Sequence, residues 1–317
     1  MYTLCHKITI ADKYLLKLVS EVEIVKSVDK LADTATVIIP ERYLNKDIDI
    51  ESKVSAGDTI NIELGYNDEL KEEFSGYICR VRRDDKGLRL ECEDAVYLLR
   101  KEIKNKAYKK VDVKQILTDV CKQIGLTVEC SYSFSYDKYT ILNATAWEIV
   151  DKIQQECGAN VYVRDDVLVV EPKYVRPFNG GTYSMERNIE RGGCNLSWRD
   201  ENSKPLLVEC EGTDSKGVSI KATAGRTGGD KMTIKLPGVS DRASLQRRAD
   251  EVLKEKNYTG YEGKFRGWLL PYTDKGYKIR LKDSLRTYKE GDYYVKSVKV
   301  TYSEAGGCRE IEIGRKI

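Results

Sequence analysis

Chemistry in this chain would have to start from one histidine, His6, nine cysteines and a pool of 51 acidic residues. A Ser-His-Asp or Cys-His arrangement must use His6. That residue lies in an alternating N-terminal stretch and reads as a strand histidine. A histidine-rich zinc site is excluded by count. The cysteines stand at 5, 79, 92, 121, 130, 157, 194, 210 and 308, with no Cys-x-x-Cys pair and an odd total. This argues against a disulfide framework and a structural zinc site. Cys121 and Cys157 fall at apolar helix positions and read as small buried hydrophobes. Gly225-Arg-Thr-Gly-Gly-Asp-Lys lacks the phosphate-loop spacing and precedes the strand-like Met232-Thr-Ile-Lys-Leu, so it is expected to be a flexible hairpin loop. Asp165-Asp166 or Glu91/Glu93 would supply the two carboxylates of a glycosidase. Asp165-Asp166 already has a turn to make, and among 51 acids adjacency carries little information. Trp147, Trp198 and Trp268 are scattered, which is core-like rather than a stacking platform. No catalytic, cofactor-binding or metal-binding residue is expected, and no enzyme.

The elements around these residues divide into three segments. The first, 1–99, reads as a small β-barrel domain. Tyr14 to Val25 alternates enough for one long strand or two short ones. Thr34 to Ile39 is a strand ended by Pro40, and Ile60, Ile62 and Leu64 share one face of another. Gly57, Gly65, Gly76 and Gly87 punctuate the run.

The second segment, 100–175, changes to helical period and reads as an α/β module. Asp112 caps a helix whose Val113, Ile116, Leu117, Val120, Cys121 and Ile124 share a face, and Gly125 stops it. Thr145-x-x-Glu148 is a capping box for a second helix with Ala146, Ile149, Val150, Ile153 and Cys157 buried and Gly158 at its end. Val161-Tyr-Val-Arg and Val167-Leu-Val-Val flank Asp165-Asp166 as a hairpin.

The third segment, 176–317, reads as a second β-barrel domain with a helix at about 240–257, capped by Ser240 and carrying a narrow stripe of Leu245, Ala249, Val252 and Leu253. The fold class is therefore mainly β with α+β: two small β-barrel domains, each with its own sheet, flanking an α/β module. The hairpins Gly76–Cys92 and Asp292–Ile313 echo one another; if this is duplication, the barrels are similar.

Composition limits the partners. Lys+Arg 54 against Asp+Glu 51 leaves a net charge of +3, too little to attract nucleic acid or anionic lipid. Clusters such as Lys71-Glu72-Glu73 and Arg80 to Asp85 read as solvated faces. Tyrosines outnumber phenylalanines 21 to 4, which suits half-buried strands and interfaces. No stretch approaches the about 20 apolar residues of a membrane span, and the N-terminus lacks a secretory pattern.

Several stretches resemble the late control D-like family of phage baseplate hubs. They are Leu31-Ala-Asp-Thr-Ala-Thr-Val, Gly76-Tyr-Ile with Glu91-Cys-Glu-Asp-Ala-Val-Tyr-Leu-Leu, Asn143-Ala-Thr-Ala-Trp-Glu-Ile-Val, Gly158-Ala-Asn-Val-Tyr-Val, Glu290-Gly-Asp-Tyr-Tyr-Val-Lys-Ser-Val and Tyr302-Ser-Glu-Ala-Gly-Gly. The resemblance implies a structural hub of a contractile tail or phage-like injection particle: a homotrimeric ring joining the tail tube and baseplate proteins to a spike. With no glycine-repeat needle before Ile317, the spike is expected to be a separate protein. It also implies synthesis in the bacterial cytoplasm and incorporation in the particle, with no cofactor, no specific nucleic-acid binding and no transmembrane segment. The rival reading is a tail-associated cell-wall-binding or peptidoglycan-degrading protein, which needs a cleft with an acidic pair.

Overall fold

Period-two alternation and glycine punctuation become strands along most of the chain, and period-3.6 stretches become three helices. The structure, a computed structural model, describes residues 2–43, 46–47, 50–164, 166–174, 177–214 and 216–317. The fold is mainly β with an α/β middle. Residue contacts group it into two compact units, 1–97 with 177–195 and 264–312, and 98–176 with 196–263 and 313–317.

The first unit is organised by a 13-stranded sheet. From one end its order is Ile189–Arg199, Gly260–Trp268, Gly306–Lys316, Gly291–Ser303, Glu21–Ser27, Thr34–Ile39, Gly87–Glu93, Glu69–Asp84, Thr59–Tyr66, Leu4–Ile10 and Tyr14–Leu16. Tyr277–Lys282 also pairs with Gly291–Ser303 and carries Phe178–Ser184 beside it. Ile8, Ile10, Ile60, Ile62 and Leu64 all face the core, as their alternation requires. Tyr14 onward becomes two short strands, Tyr14–Leu16 and Glu21–Ser27.

Separate sheets for the two outer segments are not what forms. Glu21–Ser27 pairs antiparallel with Gly291–Ser303, from Ser27 opposite Ser297 to Glu21 opposite Ser303. An unpaired strand edge is a liability. Here both edges carry buried Val22 and Ile24, Val298 and Val300, and joining them removes two edges at once. The two echoing hairpins both exist, and their turns share a left-handed glycine, Gly87 at φ 129° and Gly306 at φ 130°. Their places in the sheet differ: the second strand of one hairpin, but the first of the other, joins the central strands.

In the second unit, helix α1 spans Val113–Ile124 and α2 spans Ala146–Cys157. The Asp112 carboxylate accepts from the Lys114 amide, the Thr145–Glu148 capping box is complete, and Gly125 and Gly158 end the helices in the left-handed region. All the residues of both expected stripes are buried. Lys106–Asp112 pairs with Ser135–Ile141. Asn160–Arg164 and Val167–Glu171 form the hairpin, which Thr127–Cys130 joins in parallel. Of its expected turn, Asp166 has φ 60° and Asp165 lies outside the described residues.

Helix α3, Arg242–Lys256, belongs to the same unit. Its cap is Asp241 rather than Ser240: Asp241 accepts from the Ala243 and Ser244 amides, while the Ser240 hydroxyl bonds Asp137. Leu245, Ala249 and Val252 are buried as expected, whereas Leu253 is half-buried. The helix packs on Leu206–Thr213 and Ser219–Gly225. The Gly225 to Gly229 loop is not a hairpin. Ser219–Gly225 pairs antiparallel, and Asp230–Leu236 parallel, with opposite edges of Leu206–Thr213, so the loop crosses the end of that central strand. Gly225, at φ 102°, allows the close passage: a β-carbon there would lie 2.2 Å from the Leu206 carbonyl.

Candidate functional site

Among the described residues, those singled out for chemistry do not converge. His6 sits mid-strand opposite Leu64; its Nδ1 lies 2.7 Å from the Tyr302 hydroxyl, and burial lowers its pKa. Cys92, Cys121, Cys157 and Cys210 are buried free thiols. Burial pushes Cys121 up to about 12 and Cys210 to about 11, so neither is a thiolate nucleophile near neutral pH. Glu91 pairs with Arg80 and Arg82 across the sheet, at 3.6 and 3.8 Å. Among the described residues no group of three or more His, Cys, Asp or Glu is placed to hold a metal ion.

One acidic pair does line a cleft, in the second unit. Glu251 and Glu255 project from successive turns of α3 beside Gly158, Arg248 and Lys254. Burial raises the Glu251 pKa, and its Oε2 lies 2.7 Å from the Tyr132 hydroxyl. Glycosidase carboxylates flank the scissile bond from two sides. This pair rises from one wall, already engaged with Tyr132 and, 3.6 Å away, Lys256.

A dense set of perturbed ionisable groups is buried in the first unit. Arg309 is 1% exposed and Glu73 is 2% exposed, with Arg309 Nη2 2.5 Å from Glu73 Oε1. Arg309 Nη1 donates to the Thr273 carbonyl at 2.8 Å and Nε to the Leu269 carbonyl at 3.3 Å, while its guanidinium covers the Tyr272 ring. Alongside, Lys26 binds Asp274 at 2.6 Å and Lys275 binds Asp33 at 2.7 Å. Burial opposes the charge on Lys26, but Asp274 and Asp33 outweigh it and its pKa rises. Burial raises Glu73 against the pull of Arg309. Asp94, half-buried and near the charge of Asp33, is pushed up to about 7.

A β-bulge creates this site. Ile62 pairs with Phe74, but Glu63 pairs with Glu72, leaving Glu73 as the extra residue. Two consecutive side chains, Glu73 and Phe74, therefore both turn inward. The reading of Lys71-Glu72-Glu73 as a solvated face fails at Glu73 for this reason. Arg309 carries a signal that sequence reasoning missed, since it lies in phase with the apolar Ile311 and Ile313. Chemically, the network has the makings of an internal clamp: Lys26, Lys275 and Arg309 each meet a carboxylate.

The scattered-core reading of the tryptophans also fails in part. Trp268 ends its strand 64% exposed, in a groove of the first unit beside Arg266 and Glu190. Several tyrosines go the other way: Tyr136, Tyr183 and Tyr293 are fully buried.

Residues 3–179 match the family model described as the Alg8 N-terminal domain. The chain belongs to the Alg8 N-terminal domain family. No curated protein matches it. Among solved structures, this family member is similar to the tail protein from Neisseria meningitidis MC58, at 17% identity and TM-score 0.68, covering 98% of this chain and 96% of that one. It is also similar to the 43 kDa tail protein of prophage MuSo2 from Shewanella oneidensis, at 14% identity and TM-score 0.67, covering 99% and 98%. A third likeness is to the E. coli c3393 protein, a component of the type VI secretion system, at 12% identity and TM-score 0.61, covering 98% and 77%. At these identities the likenesses establish the fold. No helix among the described residues is long and apolar enough to cross a membrane.

Proposed function

We propose that this chain is the structural hub of a contractile tail or a related injection particle, of the late control D-like kind. In this reading three copies close a ring that joins the tail tube and baseplate proteins to a separate spike. The protein is made in the bacterial cytoplasm, is incorporated in the particle and carries out no catalysis. The observation that carries the reading is the end-to-end likeness to solved tail proteins, with 98% and 99% of the chain superposed on nearly the whole of two of them. The internal clamp suits that role. Arg309 and Glu73, 236 positions apart, lock distant strands with a fully buried charge pair. A permanent ring contact would bury on the order of 2,000 Å² or more.

The test is the mass, by light scattering, of the chain co-expressed with the spike gene beside its own. Three copies per complex are expected, and any other stoichiometry overturns the ring. Incubation with peptidoglycan tests the absence of catalysis. Soluble fragments whose release stops on Glu251→Gln would establish the wall-degrading alternative instead.

A further inference from the structure

We propose that the groove around Trp268 binds a β-linked oligosaccharide. Trp268 is the last residue of its strand between buried Gly267 and Leu269, the latter 2% exposed, so alternation aims the indole outward and leaves it 64% exposed. The groove around it mixes apolar surface, including Ile189 and Ala305, with charged and amide side chains. Arg266 and Glu190 form a forked pair, Nε to Oε2 at 2.6 Å and Nη2 to Oε1 at 3.2 Å. Asn188 is held by the Ser184 amide at 2.7 Å and the Thr182 carbonyl at 3.0 Å. Ser303, Gly306 and Gly307 form part of the lining.

This composition decides the ligand class. The core of a protein-docking surface is depleted in charge. Here one exposed aromatic and some apolar surface share the groove with Arg266, Glu190 and Asn188, an amphipathic lining. A β-linked pyranose has the matching anatomy: its axial hydrogens make an apolar face, and equatorial hydroxyls ring its edge. The indole face accepts the first. The second requires planar donors and acceptors held rigid. After their mutual fork, the Arg266 guanidinium still has donors and the Glu190 carboxylate still has lone pairs for vicinal hydroxyls. At Gly306 a β-carbon would meet nothing within 4 Å, so the groove is open there. A second aromatic surface adjoins it. Tyr2 is 80% exposed and sits edge-on to Tyr66, whose hydroxyl donates to the Gly307 carbonyl at 3.2 Å. Two platforms favour an oligomer over a single sugar.

Calorimetric and tryptophan-fluorescence titration of the full chain with chitotetraose, cellotetraose and soluble peptidoglycan fragments tests this. Saturable binding at about millimolar affinity or tighter is expected for at least one of them. Trp268→Ala should weaken it about tenfold or more, the scale of one lost stacking platform. Glu190→Gln should give an intermediate loss, and Trp198→Phe none. Trp268 is exposed, so its variant should keep the wild-type melting curve. Failure of all three sugars to saturate, or equal affinity of Trp268→Ala, would overturn the proposal. A Trp268→Ala variant that binds no less sugar but changes the mass of the assembly would identify a protein contact instead. The hub reading stands or falls separately, on the stoichiometry of the complex.

Discussion

The strands of the first unit and the helices of the second keep their interiors by different means. Around α1 and α2 the core is mostly apolar: Val113, Ile116, Leu117, Val120, Ile149, Val150 and Ile153 are nearly or fully buried, with Gln154 the polar exception on α2. In the first unit Arg309, Glu73, Lys26, Asp33 and Asp274 occupy interior positions that apolar side chains would ordinarily fill. Apolar packing is non-directional and tolerates exchange. A buried ion pair demands one partner in one place, and losing either member leaves an uncompensated charge. The helical module is therefore the more forgiving region, and the sheet the more exacting.

The largest effect should come from splitting the clamp. Arg309→Met or Glu73→Ala should each destabilise by about 3–5 kcal/mol in urea unfolding. The double variant Arg309→Met with Glu73→Leu should recover much of that loss. If each single change costs no more than an ordinary surface change, the clamp is not what holds these strands. On the other side of the comparison, Leu117→Ala empties an apolar site with no charge to strand. It should cost about 2–5 kcal/mol, and Leu117→Met less than about 1.5 kcal/mol.

A pH effect separates the regions more finely. The Asp94 pKa is raised in the folded state, from 3.8 to about 7, so between those values the folded chain holds a proton that the unfolded chain has lost. Stability from this group is present at low pH and is lost as pH climbs through about 7. Because Asp94 retains some solvent contact, Asp94→Asn should remove a loss on the order of 1–2 kcal/mol between pH 5 and pH 8, read from melting curves. An unchanged pH slope would place the proton elsewhere. The smallest effect belongs to the capping box: Thr145→Ala should cost about 1 kcal/mol, unfolding the helical module slightly earlier at every pH.

Legibility followed the range of the interactions. Both stripes of α1 and α2, with their caps and terminal glycines, could be read because each depends on neighbours within four positions. The α3 cap was displaced by one residue because Ser240 and Asp241 are both good capping types, and Ser240 is drawn away to Asp137. The Gly225 to Gly229 loop looked like a hairpin because two strands followed one another. Only pairing with a third strand shows that it is a crossover.

By itself, the sequence determined the caps, ends and buried stripes of α1 and α2 and the alternation that buries Ile60, Ile62 and Leu64. Period, caps and turn residues are local quantities, and they survive whatever the rest of the chain does. Tertiary structure alone decided that the outer segments share one sheet, that a bulge turns Glu73 inward to Arg309, and that Trp268 faces out. Those outcomes depend on which distant strand covers which edge, and a one-residue change of register reverses every side chain on it.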